Sequence, residues 1–191
     1  MCGPVTMRRP PTALAALGRT VIEAATHMSL PVEPLLQGSG LTRAALDEVD
    51  GRIETDKLFR LWNLAAEASS DAYFGLHIGE RVVSAATIHV VGYIARNSRT
   101  LGDCYARTET FARLTNEASE ITLRAEGPEA VMRVGPAPGT EEWPRCYAEM
   151  AICAYLSLGR RWTGADVRPV RAEFRHDAPP DIGEYHRIFG E

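Results

Sequence analysis

The sequence predicts an α+β fold: a helical N-terminal half packed with a small antiparallel sheet and long amphipathic helices. Three observations carry that prediction. Apolar residues recur at helical spacing from Leu14 to Leu114, the period switches from 3.6 to 2 between Glu120 and Val134, and a long amphipathic stretch follows the loop at 135–140. At 191 residues the chain can build one substantial core.

Residues 1–11 read as a flexible tail, and 12–191 as one domain with a helical half over about 12–118 and a sheet-containing half over about 119–191. Thr12 is placed to cap a helix carrying Leu14, Leu17, Val21, Ala25 and Met28. Pro34 and Gly38 bracket a short helical turn, and Thr42 caps another that ends before Gly51. Thr55 is placed to cap a helix whose apolar stripe is Leu58, Leu61, Trp62, Ala65 and Ala66. "DAYFGLHIGERV" reads as a short helix, and "AATIHVVGYIARNS" as a further apolar element, which we take as helix.

"TLGDCYARTETFARL" has Thr100 and Asp103 in capping-box spacing, ahead of a face made by Leu101, Cys104, Tyr105, Thr108 and Phe111. In "EITLRAEGPEAVMRV" the alternation sets Ile121, Leu123 and Ala125 against Ala130, Met132 and Val134 across a turn at Gly127-Pro128, which predicts a hairpin. "EEWPRCYAEMAICAYLSLGRRWTG" is a long helix with acids at its start and arginines at its end, as the helix dipole favours. Val170, Ala172 and Phe174 alternate with charged residues and predict a third strand at a sheet edge. A last helix in "DIGEYHRIFG" is capped by Asp181.

Composition narrows the function classes. Apolar residues make up 45% and charged ones 24%, with net charge −4 and no apolar run near the roughly 20 residues a membrane span needs. The basic pairs Arg8-Arg9 and Arg160-Arg161 are isolated, so this chain is a poor DNA binder by itself. The four cysteines lack CxxC spacing; all but Cys2 read as buried thiols of a cytoplasmic protein. His27, His77, His89, His176 and His186 show no metal-ligand spacing, and no nucleophile or phosphate-loop motif occurs. His176-Asp177 reads as a surface loop. We therefore expect no enzyme, no cofactor and no metal.

The chain does offer aromatic and apolar residues on helices: Trp62, Tyr93, Tyr105, Phe111, Tyr147 and Tyr155. Each alone reads as core packing; as a set they could line a small-molecule pocket between the helical half and the sheet. His89 and Arg96, on the element that carries Tyr93, are the polar candidates for ligand contact.

Three stretches, "GRIETDKLFRLWNLAAEASSDAYFGLHIGERV", "GYIARNSRTLGDCYARTETFARL" and "FRHDAPPDIGEYHRIFG", resemble the N-terminal effector domain of AraC/XylS-type transcriptional regulators. The subgroup they resemble is labelled arabinose-binding-like and includes regulators similar to VirS and the ornithine-utilisation regulator. The most specific pieces are Ser98-Arg99-Thr100-Leu101-Gly102, Phe174-Arg175-His176, Tyr185 and Phe189-Gly190. The resemblance implies a cytoplasmic sensor or dimerisation module whose helix-turn-helix DNA-binding half lies outside this chain, so the ending reads as truncated; we expect a small organic effector and a homodimer. It does not imply arabinose as the ligand. A purely structural dimerisation domain is the alternative.

Overall fold

A computed structural model describes residues 9–81 and 90–190, with only the backbone described at 90, 91 and 95. The order of elements is β1 (Thr12–Leu14), α1 (Ala15–His27), α2 (Val32–Ser39), α3 (Arg43–Asp47), β2 (Arg52–Glu54), α4 (Thr55–Ser69) and α5 (Phe74–Arg81). The described chain continues with α6 (Val90–Arg96), α7 (Leu101–Thr115), β3 (Ser119–Glu126), β4 (Glu129–Pro136), α8 (Arg145–Thr163) and α9 (Gly183–Phe189). The mixed α+β class is as expected, with two separate two-stranded antiparallel sheets, β1–β2 and β3–β4.

The hairpin forms in the expected register: Ile121 faces Val134, Leu123 faces Met132 and Ala125 faces Ala130. Its turn is made possible by Gly127 at φ 66°, a left-handed conformation that costs glycine no Cβ clash. Thr42 and Thr100 cap as expected, accepting hydrogen bonds from Ala45 N at 3.2 Å and Asp103 N at 3.0 Å.

Four local expectations are corrected. Thr12 is not a helix cap but the first residue of β1, pairing with Glu54, and α1 starts at Ala15. Thr55 is already inside α4, where its hydroxyl donates to Asn116 Oδ1 at 3.3 Å. The acids Glu141 and Glu142 precede α8, which begins only after Pro144 has turned the chain. Finally, 166–176 forms no strand: Val170 is 81% exposed, while Val167 and Phe174 pack on the smaller core and His176 is half-buried. The residues do alternate, but among the described residues no neighbouring strand supplies a ladder for them. Asp181 does serve the start of α9, its Oδ1 accepting from Gly183 N at 2.8 Å.

The main core joins α1, α2, α4 and the first half of α8, with Leu58, Leu61, Trp62, Phe74 and Tyr147 at its centre. A smaller core gathers Leu76, Cys153, Leu156, Ile188 and Phe189. The helices α5 and α8 cross closely because α5 presents Gly75 and Gly79 on one face. A Cβ at Gly75 would overlap the Cys146 carbonyl. At Gly79 it would lie 2.6 Å from Cys153 Cβ and 2.8 Å from Met150 O. Cys104, Cys146 and Cys153 are all buried free thiols.

Candidate functional site

Helix α8 organises the site because both of its long faces are used. One face turns Tyr147, Met150, Ala151, Ala154, Tyr155, Leu158 and Trp162 into a cavity of about 150 Å³. The spacing of these residues, every three or four, is that of a single helical stripe. Opposite them α7 contributes Cys104, Tyr105, Thr108, Ala112 and Thr115, while α1 contributes Ala16, Leu17 and Thr20. The hairpin closes one end with Ser119, Ile121 and Val134; Trp62, Trp143, Asn116 and Gly92 complete the wall.

Among the described residues, no side chain lining this cavity is charged. Most of its polar groups are already engaged with the protein. Asn116 Nδ2 donates to the Tyr147 hydroxyl at 3.1 Å, and its Oδ1 accepts from Ala118 N at 2.9 Å. The Tyr105 hydroxyl donates to Tyr155 O at 3.0 Å, and the Thr108 and Thr20 hydroxyls donate to Cys104 O and Ala16 O one turn earlier. Burial pushes the Tyr105 and Tyr147 phenols up to about 12, and raises Tyr155 further. These hydroxyls therefore remain protonated donors at neutral pH.

Aromatic rings stiffen the wall. Tyr147 packs edge-on against Trp143 (4.8 Å between centroids) and Trp62 (5.7 Å), and Tyr105 against Tyr155 (6.4 Å). Trp62 is wholly buried, so it backs the wall behind Tyr147.

The structure brings Trp62, Tyr105, Tyr147 and Tyr155 together at the cavity. Phe111 is half-buried elsewhere on α7, Tyr93 is 57% exposed on α6, and Arg96 is exposed at the end of α6. His89 lies outside the described residues. Sequence reasoning missed Trp143, Trp162, Thr108, Asn116 and Ser119. Trp162 was within reach, since it continues the stripe of Tyr147, Ala154, Tyr155 and Leu158. Asn116 and Ser119 were not, because they lie in a tight junction whose position depends on the bridge between Ala13 and Asn116.

The other face of α8 binds the C-terminal segment. Glu149, buried in a helix interior, accepts a hydrogen bond from Arg145 Nε at 2.6 Å and another from the Tyr185 hydroxyl. Arg145 Nη2 also reaches the Tyr185 oxygen and Ala72 O, both at 3.2 Å. His176 Nε2 stands 3.7 Å from Glu149, and its ring packs on Phe174. This places His176 in a half-buried cluster, not in the surface loop expected of it. Farther along, Arg160 donates to Val167 O at 2.8 Å and Ile188 O at 3.0 Å.

A second hollow, of about 250 Å³, lies between α1, α2 and α3. Its polar residues Glu23, His27, Arg43 and Asp47 are exposed, and Arg19 is committed to the Leu46 and Glu48 carbonyls. It is a wetted groove, a weaker candidate than the apolar cavity. Among the described residues there is no group of three metal-ligating side chains, and no helix is long and apolar enough to cross a membrane.

A search of curated proteins finds no significant match to the chain. A family model does match: the arabinose-binding domain of AraC transcription regulators, N-terminal, aligns with residues 30–191. That span takes in the cavity-lining α7, β3, β4 and α8 and the C-terminal cluster. With most of its length so matched, the chain belongs to the family of N-terminal arabinose-binding domains of AraC transcription regulators.

Proposed function

We propose that this chain is a ligand-sensing regulatory domain that takes a small organic effector into the cavity between α1, α7, α8 and the hairpin. The carrying observation is that α8 lines the cavity with one face and holds the C-terminal segment with the other. An occupant that shifts α8 changes the seat of Glu149 and Arg160, and hence the position of α9. The effector can favour one arrangement only by binding it more tightly than the other. The output is a helix-turn-helix DNA-binding domain outside this chain, acting as a homodimer in the cytoplasm. Supporting this division of labour, the chain's own charge is −4, unsuited to gripping phosphates. The finer likeness to regulators similar to VirS rests on the sequence resemblance, above all on Ser98–Gly102, Phe174–His176, Tyr185 and Phe189-Gly190.

Homodimerisation has a physical opening in the hairpin, where β3 and β4 each pair with only one strand among the described residues. Hydrogen exchange with and without a bound ligand tests the coupling. Protection should change at Ile188 and Phe189 as well as along α7 and α8. A change confined to the cavity helices would remove α8 as the transmitting element.

A further inference from the structure

The lining of the cavity bears on what the effector is, an inference that rests on the sensor reading above. We propose that the cavity takes an uncharged, largely apolar molecule about the size of one six-membered ring, and neither a sugar nor an ionised acid.

Three observations converge on this. First, no charged side chain lines the cavity among the described residues, so a carboxylate or ammonium would be buried without a counter-charge. Second, most of the amide and hydroxyl groups that a sugar would need are occupied. Asn116 is shared between Tyr147, Ala118 and Thr55, and the hydroxyls of Tyr105 and Thr108 are turned onto backbone carbonyls. A polyol would bury several of its own hydroxyls unpaired, or break those bonds. Third, the volume is about 150 Å³, and apolar cavities of about that size accept a benzene ring.

Two donors on the wall remain available, the Trp62 indole N–H, buried with no hydrogen-bond partner among the described residues, and the Tyr155 hydroxyl. The Tyr155 hydroxyl donates no hydrogen bond to any described residue, and its ring stands edge-on to Tyr105 at the cavity wall. Because burial keeps it protonated, it can donate to a single acceptor atom on the ligand. A ring with one neutral polar substituent can accept from the Tyr155 hydroxyl while the rest of the molecule meets apolar wall.

The test is a calorimetric titration of the 191-residue chain at neutral pH with toluene, phenol, benzoate and L-arabinose. Toluene and phenol are expected to bind, phenol more tightly, with benzoate at least about 100-fold weaker and arabinose silent. Tyr155→Phe should remove phenol's advantage over toluene without abolishing toluene binding. Ala154→Leu, which fills the cavity, should abolish both; its melting temperature reports whether that variant is folded. Benzoate or arabinose binding as tightly as phenol overturns this inference while leaving the sensor reading standing. If none of the four binds, the ring-sized class is overturned. A broader set of acids, sugars and lipids that also fails to bind then sinks the sensor reading itself.

Discussion

Tyr185→Phe removes the hydroxyl that ties the C-terminal helix to Glu149 and Arg145 on α8. The ring stays, with its edge-on packing against Phe174 at 5.4 Å and Tyr73 at 6.3 Å. Only the hydroxyl is lost, which donates to Glu149 and accepts from Arg145 Nη2 at 3.2 Å. Glu149 is 1% exposed, so water cannot readily replace that donor, and hydrogen bonds to charged groups contribute about 1.5–3 kcal/mol. Tyr185 is itself only half-buried, which places the expected cost at the low end, about 1.5–2 kcal/mol. A chain of this size loses about 0.4 kcal/mol per degree near its midpoint, so the melting temperature should fall by about 4–5 °C. Calorimetry at pH 7 reads this directly. The double variant with Glu149→Leu should be clearly less destabilised than the sum of the singles, since leucine offers no acceptor and each single therefore already removes the same bond. A fall of less than 1 °C, or strict additivity, would refute the claim that Glu149 anchors the C-terminal helix. The pH dependence has a definite sign. The Tyr185 phenol is raised by burial and by its bond to Glu149, so its contribution is complete below about pH 10 and is lost as pH rises beyond that.

Gly79→Ala places a methyl 2.8 Å from the Met150 carbonyl and should cost about 2–3 kcal/mol, read as a drop in denaturant midpoint at unchanged m-value. Gly139→Ala, where φ is 76° but the space is open, should cost only about 1 kcal/mol by the same measurement. Tyr105→Phe should cost about 1 kcal/mol, for the lost bond to Tyr155 O. Hydrogen bonds from Arg187 hold the Glu80 carboxyl below its usual 4.5, so the pair's contribution is present above pH 4.5 and disappears as pH falls below it. Arg187→Met should therefore lower the melting temperature by about 1–2 °C at pH 7 and by less at pH 3.5.

The elements that were legible in the sequence are those long enough to show a period. The stripes of α4, α7 and α8 and the alternation of the hairpin each repeat several times, and the faces read from them hold, down to Ile121 against Val134. What was hidden is short or depends on distant partners. Each strand of β1–β2 has three residues, too few to alternate, and its reason lies in Arg52, whose guanidinium bonds Thr12 Oγ1 at 2.7 Å and Leu114 O at 2.9 Å. The segment around Val170 shows the opposite error. A period-2 pattern identifies two faces, but cannot say whether a neighbouring strand exists to pair with either. The cavity was half legible: aromatic positions on α4, α7 and α8 pointed to it, while those on α6 led away from it. Which side of α6 faces inward is decided by its packing on α7, and that is not written in so short a helix.

All three tryptophans of the chain, Trp62, Trp143 and Trp162, lie at the cavity wall, so intrinsic fluorescence reports on its occupancy without a label. The most direct measurement is a fluorescence titration with phenol, on the wild-type chain and on Ala154→Leu. Placing the effector site in this cavity predicts a saturable change in the wild type that is lost in the folded, filled variant. An identical saturable response in both proteins would show that the ligand binds somewhere else.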